Sequence, residues 1–185
     1  MLSISDIKKG KKIVLNGEPF LVLADQHSKT GRAGAVLRTK LKNLRDGSII
    51  NKTFQGSERA GEASIETKKA QFLYREADTY YFMNNETYEQ FELPQEVVGE
   101  QSGYLKEGAE IDVYYFEGNP INIQLPIKMD FEVTEAPPGI KGNTADGGSK
   151  QVTLETGLQI STPLFVEKGD VVKVNTEKGE YVERA

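Results

Sequence analysis

The chain has 185 residues, 37% of them hydrophobic, with no cysteine, one histidine and a formal net charge of −5. That inventory excludes a disulfide, a thiolate ligand, a cysteine nucleophile and a multi-histidine metal site, and no EF-hand-like acidic loop offers a carboxylate site instead. Residues 1–6 hold no apolar run and no later segment approaches membrane-spanning length, so a soluble cytoplasmic protein is expected.

The first segment, residues 1–64, reads as compact β structure. Ile13-Val14-Leu15 is a short strand, Asn16-Gly17 a hairpin signal and Phe20 to Ala24 the returning strand. A loop of small and basic residues follows over 28–35. Val36 to Leu44 then alternates, with Leu37, Thr39, Leu41 and Asn43 on one side. Arg45-Asp46-Gly47-Ser48 turns into a last strand, Ile49 to Phe54. Short strands joined by glycine-containing turns predict a small barrel. Gln55 to Ala63 reads as a polar connection.

The second segment, residues 65–126, is also β-rich. Ala70 to Arg75, Thr79 to Met83 and Thr87 to Leu93 form a meander, with turn residues in the gaps. Tyr80, Phe82, Tyr88 and Phe91 have the look of a base-stacking platform. The acids around them (Glu86, Glu89, Glu92, Glu96) argue for core packing instead, since polynucleotide grooves are basic. Pro94 opens a short helix to about Gly99. Glu110 to Phe116 and Ile121 to Leu125 complete a five-stranded OB-type plan.

In the third segment, residues 127–185, Met129, Phe131 and Val133 alternate with Asp130 and Glu132. After Pro137-Pro138 comes a glycine-rich loop, Lys141 to Lys150. It lacks the Gly-Lys-Ser/Thr ending and strand-to-helix context of a P-loop, so nucleotide hydrolysis is not expected. Strands at Gln151 to Leu154, Gly157 to Ser161, Val171 to Val174 and Tyr181 to Glu183 predict a second barrel of similar size. Thr162-Pro163-Leu164-Phe165-Val166 reads as core.

Charge divides along the same lines. Residues 1–64 carry 12 Lys+Arg against 6 Asp+Glu, residues 65–126 carry 4 against 12, and residues 127–185 carry 7 against 10. No acid falls between Gln26 and Arg45, where Lys29, Arg32, Arg38, Lys40, Lys42 and Arg45 stand. A glycine-flanked arginine on a basic hairpin suits polyanion contact, because guanidinium forks match phosphate oxygens. The plainer alternative is a solvated hairpin end. In the third segment, the glycine-rich loop offers backbone contacts to RNA, or is simply a surface loop. Asp25, Glu18 and His27 can be drawn together on paper, but one histidine and no paired motif give no enzyme.

Three stretches resemble one family. Lys141-Gly142-Asn143-Thr144 through Gly147-Gly148-Ser149-Lys150, with Thr153 to Gly157 and Pro163 to Val166, resembles the third-domain signature of bacterial elongation factor P. Phe82 to Gln90 is similar to its second-domain hairpin. Gly31-Arg32-Ala33-Gly34-Ala35 and Arg38 to Leu44 are similar to its first-domain loop and strand. The resemblance runs the length of the chain in one order. It implies an all-β, L-shaped protein of three small barrels, the first SH3-like and the next two OB-type, over 1–64, 65–126 and 127–185.

It also implies a protein that binds both ribosomal subunits beside peptidyl-tRNA and assists peptide-bond formation at consecutive prolines; separately, a monomer is expected. On this carry-over the tip Lys29, Thr30, Gly31, Arg32, Ala33 and Gly34 reaches the tRNA CCA end. Arg38, Lys40, Lys42 and Arg45 form a basic RNA-facing surface. Lys141, Gly142, Asn143, Thr144, Gly147, Gly148 and Lys150 form the third-domain RNA loop, with Tyr181 and Arg184 as C-terminal RNA contacts. Proline is a constrained substrate, so a factor that fixes the CCA end would act by orientation. No cofactor is expected.

Many members carry a modified lysine within Lys-Pro-Gly-Lys-Gly at the position of Arg32. Lys29-Thr30-Gly31-Arg32-Ala33 lacks that lysine, which excludes lysine-type modification there. One arginine-bearing branch is rhamnosylated at this position by a glycosyltransferase. Rhamnose on Arg32 and an unmodified Arg32 both stay open. An elongation factor P-like paralogue, or a general RNA-binding protein with another target, is the alternative reading.

Overall fold

The computed structural model describes residues 1–29, 35–138 and 148–185. Among them are fifteen strands in three five-stranded sheets. The first sheet comprises β1 (Lys12–Leu15), β2 (Glu18–Lys29), β3 (Ala35–Asn43), β4 (Ile49–Gln55) and β5 (Gly61–Glu62), in the order β4-β3-β2-β1-β5. Asn16 and Gly17, with φ of 53° and 83°, make the turn between β1 and β2, where glycine carries no penalty for the left-handed backbone.

Alternation along β3 decides which way each side chain points. Leu37, Thr39, Leu41 and Asn43 are buried, while Arg38, Lys40 and Lys42 are exposed. The buried Thr39 hydroxyl donates to the Lys52 carbonyl at 2.9 Å, so its polarity is satisfied. Ile7, Ile13, Leu37, Leu41 and Phe54 fill the core beneath. Gln55 to Ala63 is not a bare connection. Ala60 and Ala63 are buried, Ala60 bridges to Leu2, and β5 pairs with β1. The small residues there let the chain lie close against the sheet it closes.

The middle sheet joins β6 (Ile65–Glu76), β7 (Thr79–Asn84), β8 (Gln90–Pro94), β9 (Glu110–Phe116) and β10 (Asn119–Gln124), in the order β10-β9-β6-β7-β8. The helix α1 (Gln95–Val98) follows Pro94, and a 3-10 stretch continues to Tyr104. Tyr80 and Phe82 are buried, and Phe91 stacks on Phe82 with centroids 5.4 Å apart. Tyr88 departs from expectation: it is 72% exposed with φ 59°, in a turn before β8. The Asn84 side-chain oxygen accepts the amides of Glu86 and Thr87, which holds that turn and displaces Thr87 and Tyr88 from the strand.

The third sheet holds β11 (Lys128–Glu135), β12 (Ser149–Leu154), β13 (Gln159–Pro163), β14 (Val171–Asn175) and β15 (Glu180–Arg184), in the order β13-β12-β11-β14-β15. Met129, Phe131 and Val133 are buried as the alternation requires. Phe165 is not core: it is 60% exposed, while Val166 takes the inward place.

By contact the chain forms two compact units, Met1–Lys68 with Val113–Ile123 and Lys69–Asp112 with Gln124–Ala185. In the first, Leu44 and Ala63 pack with Phe116 and Ile121, and the Asn122 side-chain amide donates to the carbonyls of Leu44 and Arg45. In the second, the Tyr104 and Phe131 rings lie 6.1 Å apart. Lys106 Nζ donates to the Asp130 carbonyl at 2.7 Å and pairs with Glu155 at 3.2 Å.

Candidate nucleic-acid interface

The basic surface is built by strand pairing. β2 and β3 stay in antiparallel register out to Ser28–Val36 and Lys29–Ala35, so the chain leaves and re-enters the sheet at adjacent positions. Thr30, Gly31, Arg32, Ala33 and Gly34 lie outside the described residues.

Along the outer side of β3 the exposed cations fall on alternate positions. Arg38 is registered between Gln26 and Thr53, and Lys40 between Ala24 and Asn51. Together with Asp25, these residues line a shallow groove of about 280 Å³. Among the described residues Arg38, Lys40 and Lys42 make no ion pair. Arg45 differs. Its Nε donates to Glu18 Oε2 at 3.0 Å, and its amide donates to the Asn43 side chain at 2.7 Å. The four cations expected as one surface are therefore three unpaired charges in a row and one tied back.

Asp25 and His27 come within 3.6 Å of each other, and Asp25 Oδ1 accepts the Lys9 amide at 2.8 Å. Glu18 is not with them, because Arg45 holds it. Among the described residues no group of three His, Asp or Glu side chains could hold a metal ion, and no helix is long and apolar enough to cross a membrane.

In the third sheet Lys141, Gly142, Asn143, Thr144 and Gly147 lie outside the described residues. Lys150 Nζ donates to the Pro137 carbonyl at 3.0 Å, which ties β12 to the end of the segment following β11. Gly148 lies close to Leu164, where an added Cβ would stand 3.1 Å from Cδ1. Pro137, Pro138, Leu164 and Phe165 line an open groove of about 920 Å³ with Lys150 and Lys168 at its margin. Sequence reasoning missed this groove. The only signal was an apolar run too long to be wholly inward. Tyr181 is half-buried opposite Val174, and Arg184 Nη1 stands 3.7 Å from Asp170, so the charge of Arg184 is already paired.

Three family models match the chain in order. They are the Elongation factor P (EF-P) KOW-like domain over 3–60, the Elongation factor P (EF-P) OB domain over 65–123, and Elongation factor P, C-terminal, over 129–184. Elongation factor P of Dictyoglomus thermophilum is 46% identical over 185 residues, covering 100% of both chains. Those of Moorella thermoacetica and Thermotoga maritima are each 44% identical over the same full lengths. Among solved structures, eukaryotic translation initiation factor 5A from Methanococcus jannaschii is similar with a TM-score of 0.52. That likeness covers 67% of this chain and 93% of the other at 23% identity, and it concerns the fold.

Proposed function

The chain belongs to the elongation factor P family and is a translation elongation factor, and from that premise we propose that it binds the ribosome beside peptidyl-tRNA and promotes peptide-bond formation at consecutive prolines. It acts in the cytoplasm as a monomer, without a catalytic group of its own. The observation that supports this reading is the unpaired row Arg38, Lys40 and Lys42 on the strand that leads directly out of residues 30–34. Such a row meets a phosphate backbone without first breaking an internal ion pair. Arg32 would then hold the CCA end, and its contribution is orientation, since a constrained proline nucleophile gains most from a fixed partner. Lys29 to Gly34 form the contact, with the loop from Lys141 to Lys150 on the small-subunit side.

Arg32 is also the residue that a rhamnosyl-transferring enzyme would modify. One added deoxyhexose on the Arg32 peptide of native-host protein would support that modification. An unshifted mass leaves the bare guanidinium as the working group.

The decisive experiment is translation of a reporter with three consecutive prolines in an extract depleted of its own factor, with a proline-free reporter as control. Native-host protein is expected to rescue only the proline reporter, and Arg32→Ala to abolish that rescue. Ribosome binding without rescue would favour a paralogue with another role. No ribosome binding at all would leave a general RNA-binding protein as the better reading.

A further inference from the structure

The middle sheet carries a second exposed feature that the tRNA-facing reading does not use. A bulge between Phe72 and Tyr74 sets Tyr74 opposite Tyr81, and Tyr81 in turn lies opposite Glu92. Glu76 lies two residues along on the same side, opposite Thr79. The Tyr74 and Tyr81 rings stack at 4.7 Å with planes 20° apart, and Tyr74 is 43% exposed. Glu76 and Glu92 are exposed. Partial burial, then the charges of Glu92 and Glu76, raise the Tyr81 phenol above its usual value.

What marks this patch is that, among the described residues, no cation of this chain meets it. Five other aromatic rings (Phe54, Tyr80, Tyr114, Tyr115 and Phe131) each have a Lys or Arg of this chain over them. Among the described residues none stands over Tyr74 or Tyr81. Neither Glu76 nor Glu92 is in an ion pair there either. The nearest cation in sequence, Arg75, is turned to the Tyr80 ring and to Asp78. An uncovered pair of π faces beside two unpaired carboxylates has the chemistry of a guanidinium site: the ring quadrupole and the negative charge attract the same ligand. Polynucleotide phosphate is disfavoured by the same carboxylates.

We propose that the Tyr74–Tyr81–Glu92–Glu76 face of the middle sheet docks an arginine side chain from a basic protein segment. The occupant is a polypeptide, and arginine rather than lysine, because a planar guanidinium stacks on the rings while its N–H groups reach the carboxylates.

The test uses the full chain and a fluorescein-labelled dodecapeptide of alternating glycine and arginine, read by fluorescence anisotropy at low ionic strength. Binding is expected to weaken about threefold in Tyr74→Ala and to survive in Tyr74→Phe, the factor an exposed cation–π contact is worth. Glu92→Gln is expected to weaken it comparably, and a glycine–lysine peptide to bind less tightly. Glu107→Gln, an exposed carboxylate elsewhere on the chain, is the control and is expected to change nothing. Thermal unfolding of each variant verifies that the sheet is intact. Equal weakening by Glu107→Gln and Glu92→Gln would reduce the effect to bulk charge and overturn the site. No peptide binding would overturn it too, as would oligouridylate binding that is lost in Tyr74→Ala.

Discussion

The first and middle sheets treat their outer faces in opposite ways. On β3 the outward positions are Arg38, Lys40 and Lys42, cations with no ion-pair partner among the described residues. Around β7 they are Tyr81, with Tyr74 and Glu92 across from it: among the described residues, rings without a cation and a carboxylate without an ion pair. Inward positions are alike in kind: Leu37 and Leu41 in one, Tyr80 and Phe82 in the other, all buried. The period of two that fixes the core leaves every second side chain free of the fold. On the two proposals above, the outward residues of these sheets meet partners of opposite charge.

The largest expected effect tests that division directly. Leu41→Ala and Phe82→Ala each remove a fully buried side chain and are expected to cost about 3 kcal/mol, from lost burial plus the cavity left behind. Lys40→Ala, one position from Leu41 on the outward side, and Tyr74→Phe, which removes only an outward hydroxyl, are expected to stay within about 0.5 kcal/mol. Denaturant unfolding measures all four. An outward substitution as damaging as an inward one would break the comparison.

A smaller effect should separate the cations of the first sheet from one another. Arg38→Gln and Lys40→Gln are each expected to lower the slope of log ribosome affinity against log salt by about 1, as one phosphate contact is lost. Arg45→Gln is expected to change it less, because Glu18 already neutralises Arg45 at 3.0 Å. Sedimentation with ribosomes over a salt series reads this. Equal slopes for all three variants would mean that internal pairing does not select the contacts.

Much of this arrangement was legible in the sequence, for a physical reason. The alternations in β3 and β11 are local, and a period of two shows in a single pass along either strand. The Asn16-Gly17 turn needs only its own backbone geometry. Adjacent aromatics do not carry that information. In Thr79-Tyr80-Tyr81-Phe82-Met83 every second residue is inward, but Tyr74 joins the outer set only because of the bulge after Phe72, and a bulge is a property of two strands together. Phe165 reads as core in the sequence because a continuous apolar run gives no phase, yet it is exposed. Residues 55–63 read as a connection in the sequence because the partners of Ala60 and β5, Leu2 and β1, are distant in sequence. Among site residues, the row on β3 was readable, whereas the pairing of Arg45 with Glu18 and of Arg184 with Asp170 was not.

The third sheet is the intermediate case and gives the smallest effect. One of its outward cations is compensated within the sheet: Lys173 meets Glu183 at 3.0 Å across β14 and β15. The hydrogen bond from Lys173, then its charge, lowers the Glu183 carboxyl below its ordinary 4.5, and the same contact raises Lys173 above 10.5. A carboxyl with a lowered folded value stabilises fully above about pH 4.5, and that contribution is lost as pH falls through the folded value. For the lysine the sign reverses. Its contribution is full below about pH 10.5 and is lost as pH rises through the raised value. Wild type should therefore exceed Glu183→Gln in melting temperature by a small, constant margin between those limits, since Glu183 is exposed, Lys173 is only half-buried and the pair is screened. The margin should close in acid as Glu183 takes up its proton. A margin that persisted unchanged well below the carboxylate range would mean that Glu183 acts through packing, and compensation within the third sheet would then not distinguish it from the other two.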